Sequence, residues 1–285
     1  MKLSKVLCLF LAAAVLGPQP SLARQRPLGP PKGADVDRIV RSDRESPNIA
    51  PTHQGWCGDG RFYYTVHTRR IDKRRRDADW SIVSQNTKPF AGLPNGRELN
   101  HLGDCDIDPV TGLLYLPVEK LARGTGNPPM YEQIAVYRTS DLSFVRSIDI
   151  SGIGAHGAGG VAVDPAADTL WLIAGGSRTS IFRLRLSSGA ALPPVNIPAG
   201  FRQFQGVAVG PDGLLYLAGE SGRGRSRKVV GVFERNGAVR KVLQLPIDHT
   251  IEGLGFDSNG QLGVLDNLSG KNDPSIVRFF TLPGR

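Results

Sequence analysis

Four of the five histidines stand just ahead of short apolar runs: His53 in "THQG", His101 in "NHLGD", His156 in "AHGAGG" and His249 in "DHTIEG". The fifth, His67, ends the run "FYYTVH". A neutral imidazole is a good ligand for zinc, copper or iron, and a good acid–base group near neutral pH. Glu252 lies three residues after His249, so this stretch alone offers a base beside a carboxylate. The offsets differ: His156 and His249 lie four residues before a glycine and His53 two before one, while His101 lies three before Asp104. Side chains alternate along a strand, so the four need not all point the same way.

Two further groups could do chemistry. "GDCDID" sets Asp104, Asp106 and Asp108 at alternate positions, sharing one face of a strand. Its spacing resembles a calcium loop, but Pro109 stands where that loop needs glycine and Tyr115 where it needs glutamate, so an EF-hand is excluded. Asp104 and Asp106 are left as candidates to bind a cation or to orient His101. Basic residues gather in "RRIDKRRRD" (69–77) and "RGRSRK" (223–228). Arg70, Arg74, Arg75, Arg225 and Arg227 could steer phosphate, sulfate or carboxylate groups. No aromatic residues interleave with these cations to stack bases, so nucleic acid ranks low as a partner. Nucleophile-elbow, phosphate-loop and H-E-x-x-H motifs are absent from the sequence.

These residues are positioned by a repeat. "GDCDIDPVTGLLYLPVE", "GGVAVDPAADTLWLIAG", "QGVAVGPDGLLYLAGE" and "EGLGFDSNGQLGVLD" share one grammar, and "QGWCGDGRFYYTVH" is a shorter fifth copy. Their turn positions, Asp59, Asp108, Asp164, Gly210 and Asp257, are spaced by 49, 56, 46 and 47 residues. An alternating strand runs into an Asp or Gly turn, then an apolar strand follows. "QIAVYR", "SIFRLRL", "VVGVFER" and "SIVRFFTL" read as third strands; "SFVRSIDI" and "AVRKVLQL" read as fourth strands. The expected fold class is all-β, a β-propeller of four-stranded blades over residues 35–285. Five blades are expected, with six as the alternative because 80–100 does not resolve into strands. The last unit lacks a fourth strand, and "ADVDRIVRSD" (34–43) could supply it and close the ring. In a propeller the first strands line the central channel. The segments leading into them therefore meet at one mouth, and the basic runs, each following a second strand, are expected on that same face.

Segments such as "GVAVGPDGLLYL" (206–217) resemble NHL-repeat and gluconolactonase-like propellers, a resemblance that covers most of the chain and speaks to fold. In the calcium-dependent members, the position before the blade glycine supplies acidic and asparagine metal ligands. Here that position holds Gln54, Gly103, Gly159, Gln205 and Glu252. A single carboxylate makes a poor calcium shell, which takes six to eight oxygens. That puts in doubt the metal and the lactonase activity that the resemblance implies. Gln54, Gln205 and Glu252 remain candidates to hydrogen-bond a polar ligand.

Lys2 and Lys5, an apolar run from Val6 to Leu16 and the small residues Ser21 and Ala23 read as an export signal (1–23), followed by a flexible lead-in (24–34). The run is too short to span a bilayer. Removing the signal also removes Cys8 and leaves Cys57 and Cys105, expected to form one disulfide in a secreted or periplasmic protein. With 35 basic and 26 acidic residues, the chain carries a formal +9, which favours anionic partners. The expected protein is a monomer that binds a small-molecule or polyanionic ligand at the mouth through Gln54, His101, His156, Gln205, His249 and Glu252. One rival is a hydrolase of lactonase or phosphoesterase type, with His249 or His156 as base and a divalent metal on Asp104, Glu252 and His101. A second rival is an extracellular interaction scaffold.

Overall fold

A computed structural model describes residues 34–49, 53–121, 130–154, 157–174, 180–198, 200–221, 227–268 and 274–282. The expected export signal lies outside them. The chain opens with β1 (Asp35–Arg38) and β2 (Arg44–Glu45). Blade one is β3 (His53–Gly58), β4 (Phe62–His67), β5 (Arg70–Arg75) and β6 (Ile82–Asn86). Blade two has a broken inner strand, β7 (His101–Leu102) and β8 (Asp106–Asp108), then β9 (Leu113–Lys120), β10 (Met130–Arg138) and β11 (Phe144–Asp149). Blade three is β12 (Ala158–Asp164), β13 (Thr169–Ala174), β14 (Ser180–Arg185) and β15 (Ala191–Asn196). Blade four is β16 (Phe201–Val209), β17 (Leu215–Ser221), β18 (Arg227–Phe233) and β19 (Val239–Gln244). Blade five is β20 (Thr250–Phe256), β21 (Leu262–Asn267) and β22 (Ser275–Phe280). The five sheets are antiparallel meanders, as the repeat requires.

Among the described residues there is no sixth blade. Ile82–Asn86 is the outer strand of blade one, and 87–100 is a run of turns leading to β7. Ring closure differs from the expected form. Asp35–Arg38 adds to blade four as a fifth, parallel strand on β19. The missing strand of blade five is β2, pairing Arg44 with Phe279 and Glu45 with Arg278. The inner strands β3, β8, β12, β16 and β20 lie side by side around the axis, with β20 closing on β3.

The turn carboxylates are structural. Asp59 Oδ1 accepts from the Arg61 and Phe62 N–H groups at 2.8 and 2.6 Å. Asp108 and Asp257 cap their own turns in the same way, as short Asx side chains do. Where blade four has Gly210, Asp212 takes over and accepts from the Leu214 N–H and the Tyr216 hydroxyl. Apolar faces bury between neighbouring blades. Trp56, Tyr63, Trp80 and Phe279 join blades five and one, and Trp171 packs between blades three and four. All three tryptophans are core residues. Gly263 is glycine because a Cβ there would stand 2.0 Å from the Trp56 ring. Among the described residues, no helix is long and apolar enough to cross a membrane.

Candidate functional site at the channel mouth

Four inner strands share one irregularity. Their pairing with the second strand slips between His53 and Gly55, Ala158 and Gly160, Arg202 and Gly206, and Ile251 and Gly253. Each slip is a β-bulge at the residue or residues before the blade glycine. A bulge frees a residue from the ladder and re-aims its side chain. Gln54, Gln205 and Glu252 are those residues, and all three are half-buried. The glycines that follow let the inner strands crowd together. A Cβ on Gly206 would lie 2.7 Å from the Leu254 nitrogen, and one on Gly253 would lie 2.9 Å from the Gly55 Cα.

Blade two departs from this column, carrying Asp104 where the other four carry glycine. Its side chain is fully buried. Oδ1 accepts from the Trp56 N–H of blade one and Oδ2 from the Leu254 N–H of blade five, both at 3.0 Å. The Asp104 N–H donates to the Gly159 carbonyl of blade three. Gly55, Gly160 and Gly253 all close on this one residue. Asp104 therefore plugs the channel neck and ties four blades together. Burial pushes its carboxyl well above the ordinary carboxylate range, against the pull of these N–H groups. Asp106 is a second staple, with Oδ2 accepting from the Val163 N–H of blade three and Oδ1 from the Ile107 N–H, both at 2.8 Å. Burial pushes it up to about 7.

This corrects the expected metal set. Asp104, His101 and Glu252 do not bring their ligand atoms together, and neither Asp104 nor Asp106 orients His101. Glu119 and Gln54 do so instead. His101 Nδ1 lies 3.0 Å from Glu119 Oε1, its direct cross-strand neighbour, and Nε2 lies 2.8 Å from Gln54 Oε1. Glu119 is buried, and its Oε2 has no hydrogen-bond partner among the described residues. Across the mouth, Gln205 Nε2 donates to Glu252 Oε2 at 3.0 Å, joining blades four and five. Burial pushes the Glu252 carboxyl up to about 7, despite the Lys228 charge and a hydrogen bond from Asn267.

Among the described residues, the histidines do not form one cluster. His53 pairs across its strand with His67, with ring centroids 3.7 Å apart. Among the described residues, His53, His67 and Asp72 are the one group of three whose ligand atoms lie within 4.8 Å of one another. Cations already surround that group. Arg70 and Arg74 donate to Asp72 at 2.8 and 2.9 Å, Gln85 donates at 2.9 Å, and an Arg70 nitrogen lies 2.5 Å from His67 Nε2. Burial raises the Asp72 carboxyl, but hydrogen bonds from His67, Gln85 and Arg70 outweigh it and hold the group far below the ordinary range. A metal ion would have to displace the guanidiniums. His249 lies apart, its Nδ1 3.3 Å from Asp266, which also accepts from Arg278 at 2.8 Å. His156 and Arg225 lie outside the described residues, and Arg227 opens β18.

The basic rim is also corrected. "RIDKRR" (Arg70–Arg75) is not a loop but the strand β5, running away from the mouth. Arg74 is buried, bonded to Thr65, Asp72 and the Trp80 carbonyl. Arg75 pairs with Phe62 at the far end of the blade. Glu119, Asp72 and Asp266 are site residues that sequence reasoning missed. The available signal was the column of polar residues at second-strand ends: His67, Glu119, Glu220 and Asp266.

Cys57 and Cys105 form the expected disulfide, with Cα atoms 5.8 Å apart, linking the inner regions of blades one and two. The chain is thus a five-bladed β-propeller with a plugged neck and a polar mouth. No protein-family model and no curated protein sequence matches it. Solved β-propellers do. Glutaminyl cyclase from Myxococcus xanthus is 12% identical with a TM-score of 0.58, covering 87% of this chain and 100% of that one. A glucose dehydrogenase is 10% identical with a TM-score of 0.51, covering 84% and 100%. The luciferin-regenerating enzyme is 14% identical with a TM-score of 0.50, covering 83% and 79%. At these identities the likeness is one of fold alone.

Proposed function

We propose that this is an exported propeller whose channel mouth binds a small polar ligand bearing an anionic or carbonyl group. The observation that carries the reading is Glu252. It sits on a bulge, half-buried, its carboxyl raised to about 7 and bonded to Gln205 of the next blade. A protonated carboxyl there donates a hydrogen bond to ligand oxygen; the ionised form repels an anion. Gln54, His101 and Glu119 present a second polar set from blades one and two. Asp104 closes the neck below both, so a ligand enters and leaves by the same face.

The same Glu252 favours a second reading, a hydrolase in which it is the general acid–base group. A proton affinity matched to neutral pH is what such a group needs. This version does not require the metal set of Asp104, Glu252 and His101.

Thermal-shift measurements with sugar acids, lactones and phosphate monoesters test both readings. A ligand at about one hundred times its Kd adds about 2.7 kcal/mol of stability. The shift should vanish in Glu252→Ala and Gln205→Ala, whereas for an anion Glu252→Gln, a neutral stand-in for the protonated acid, should keep it and remove its weakening as pH rises through about 7. Turnover lost in Glu252→Gln with binding retained would select the hydrolase. Ligand shifts indifferent to every mouth substitution would reject both.

A further inference from the structure

A cleft of about 500 Å³ lies between the turn after β4 and the run of turns that leads from blade one to blade two. Arg69, Lys88 and Arg97 line it, together with Pro89, Phe90 and Leu93, and no carboxylate does. The three cations are exposed. None of them forms an ion pair among the described residues. The nearest acidic residue in sequence, Glu98, turns away to Lys120. Gathering like charges in one concavity without a counter-charge is unfavourable, and it builds a positive potential that an anion relieves.

The cleft is built rather than incidental. The Tyr137 hydroxyl donates to the Pro89 carbonyl, Gln133 Nε2 to the Pro94 carbonyl at 2.9 Å, and Asn86 Nδ2 to the Leu142 carbonyl at 3.0 Å. Leu93 and Leu99 are buried in the core between blades one and two, and Phe90 packs against it half-buried. Blade two thus holds a segment of blade one's exit in a fixed shape, so little ordering is required when a ligand binds.

We propose that this cleft is a second binding site, separate from the mouth, for a phosphate or sulfate monoester whose apolar body lies against Phe90. Two guanidiniums offer paired N–H donors to a tetrahedral oxyanion, Lys88 adds a point charge, and the ring supplies the apolar wall.

Isothermal titration of the full chain at low ionic strength with phenyl phosphate, phenyl sulfate and inorganic phosphate tests this. Saturable binding of an aryl ester, tighter than inorganic phosphate and weakened by salt, is expected. Arg69→Gln with Arg97→Gln should weaken it at least about tenfold, since each lost charged hydrogen bond is worth that much. Phe90→Leu should narrow the gap to inorganic phosphate, and Glu252→Ala should leave ester binding unchanged. The preferred ester identifies the headgroup. The proposal is overturned if neither ester binds saturably, or if binding survives the double arginine substitution. Binding that disappears in Glu252→Ala but survives the arginine changes would place the anion at the mouth instead.

Discussion

Replacing Asp104 is the sharpest test of the plugged neck. In Asp104→Ala, the Trp56 and Leu254 N–H groups, each now bonded at 3.0 Å, stay buried without acceptors. An unsatisfied buried donor costs about 1–3 kcal/mol, so the pair should cost about 2–6 kcal/mol before any cavity is counted. Asp104→Asn keeps the shape but puts an NH2 group against one of the two donors, so it should cost about 1–3 kcal/mol. For a domain of this size, each kcal/mol lowers Tm by about 2–4 °C. Urea unfolding with the disulfide intact measures both variants. The expected order of stability is wild type, then Asn, then Ala. An alanine variant within about 0.5 kcal/mol of wild type would refute the staple. Refutation would be complete if that variant also lost ligand binding, because Asp104 would then be a site residue.

Four other outcomes follow from the same geometry. Cys57→Ser with Cys105→Ser should cost about 4 kcal/mol on a chain-entropy basis, given the 48-residue separation, measured as a lower urea midpoint. Gly253→Ala should destabilise by about 1–3 kcal/mol or more, because its Cβ would meet Asp104 Oδ1 at 2.7 Å; thermal unfolding reads this. Arg74→Met should lose about 3–5 kcal/mol by leaving a buried ion pair broken, with no change in salt-dependent binding. Asp106 and Glu252 are both held up near 7 in the folded chain. Between about 4 and 7 the folded state therefore binds more protons than the unfolded one, and their contribution to stability is lost as pH rises through that window. Asp106→Asn and Glu252→Gln should each flatten the slope of stability against pH.

The blades were legible because each repeats the same alternating strands and Asx turns, and because a glycine marks where inner strands crowd. The disulfide was legible because two cysteines sat at equivalent heights in neighbouring units. The mouth was legible only in part. The column before the glycine does place Gln205 beside Glu252, but histidine positions two to four residues from a glycine diverge along strands that bulge. His53 accordingly meets His67, and His101 meets Glu119. Asp104 was misread because its charge suggested a ligand, whereas its position in a glycine column marks a group that fills the axis. Arg74 was misread for a similar reason: a run of charges suggests a loop, yet alternate residues of a strand can bury a guanidinium on Asp72. Such pairing across strands cannot be read from a linear spacing.

The closure of blade five sets a folding order. Arg44 and Glu45 are made early, yet their partners Phe279 and Arg278 are made last. Until then β2 has no partner strand, and Trp56 lacks the Leu265 and Phe279 surface that covers it. Assembly therefore ends in long-range contacts between the two ends of the chain, so the native ring should form slowly and then open rarely. Joining the two termini and cutting the chain between two other blades would move that closing step. Such a permuted protein should keep the ring but change the order in which it forms.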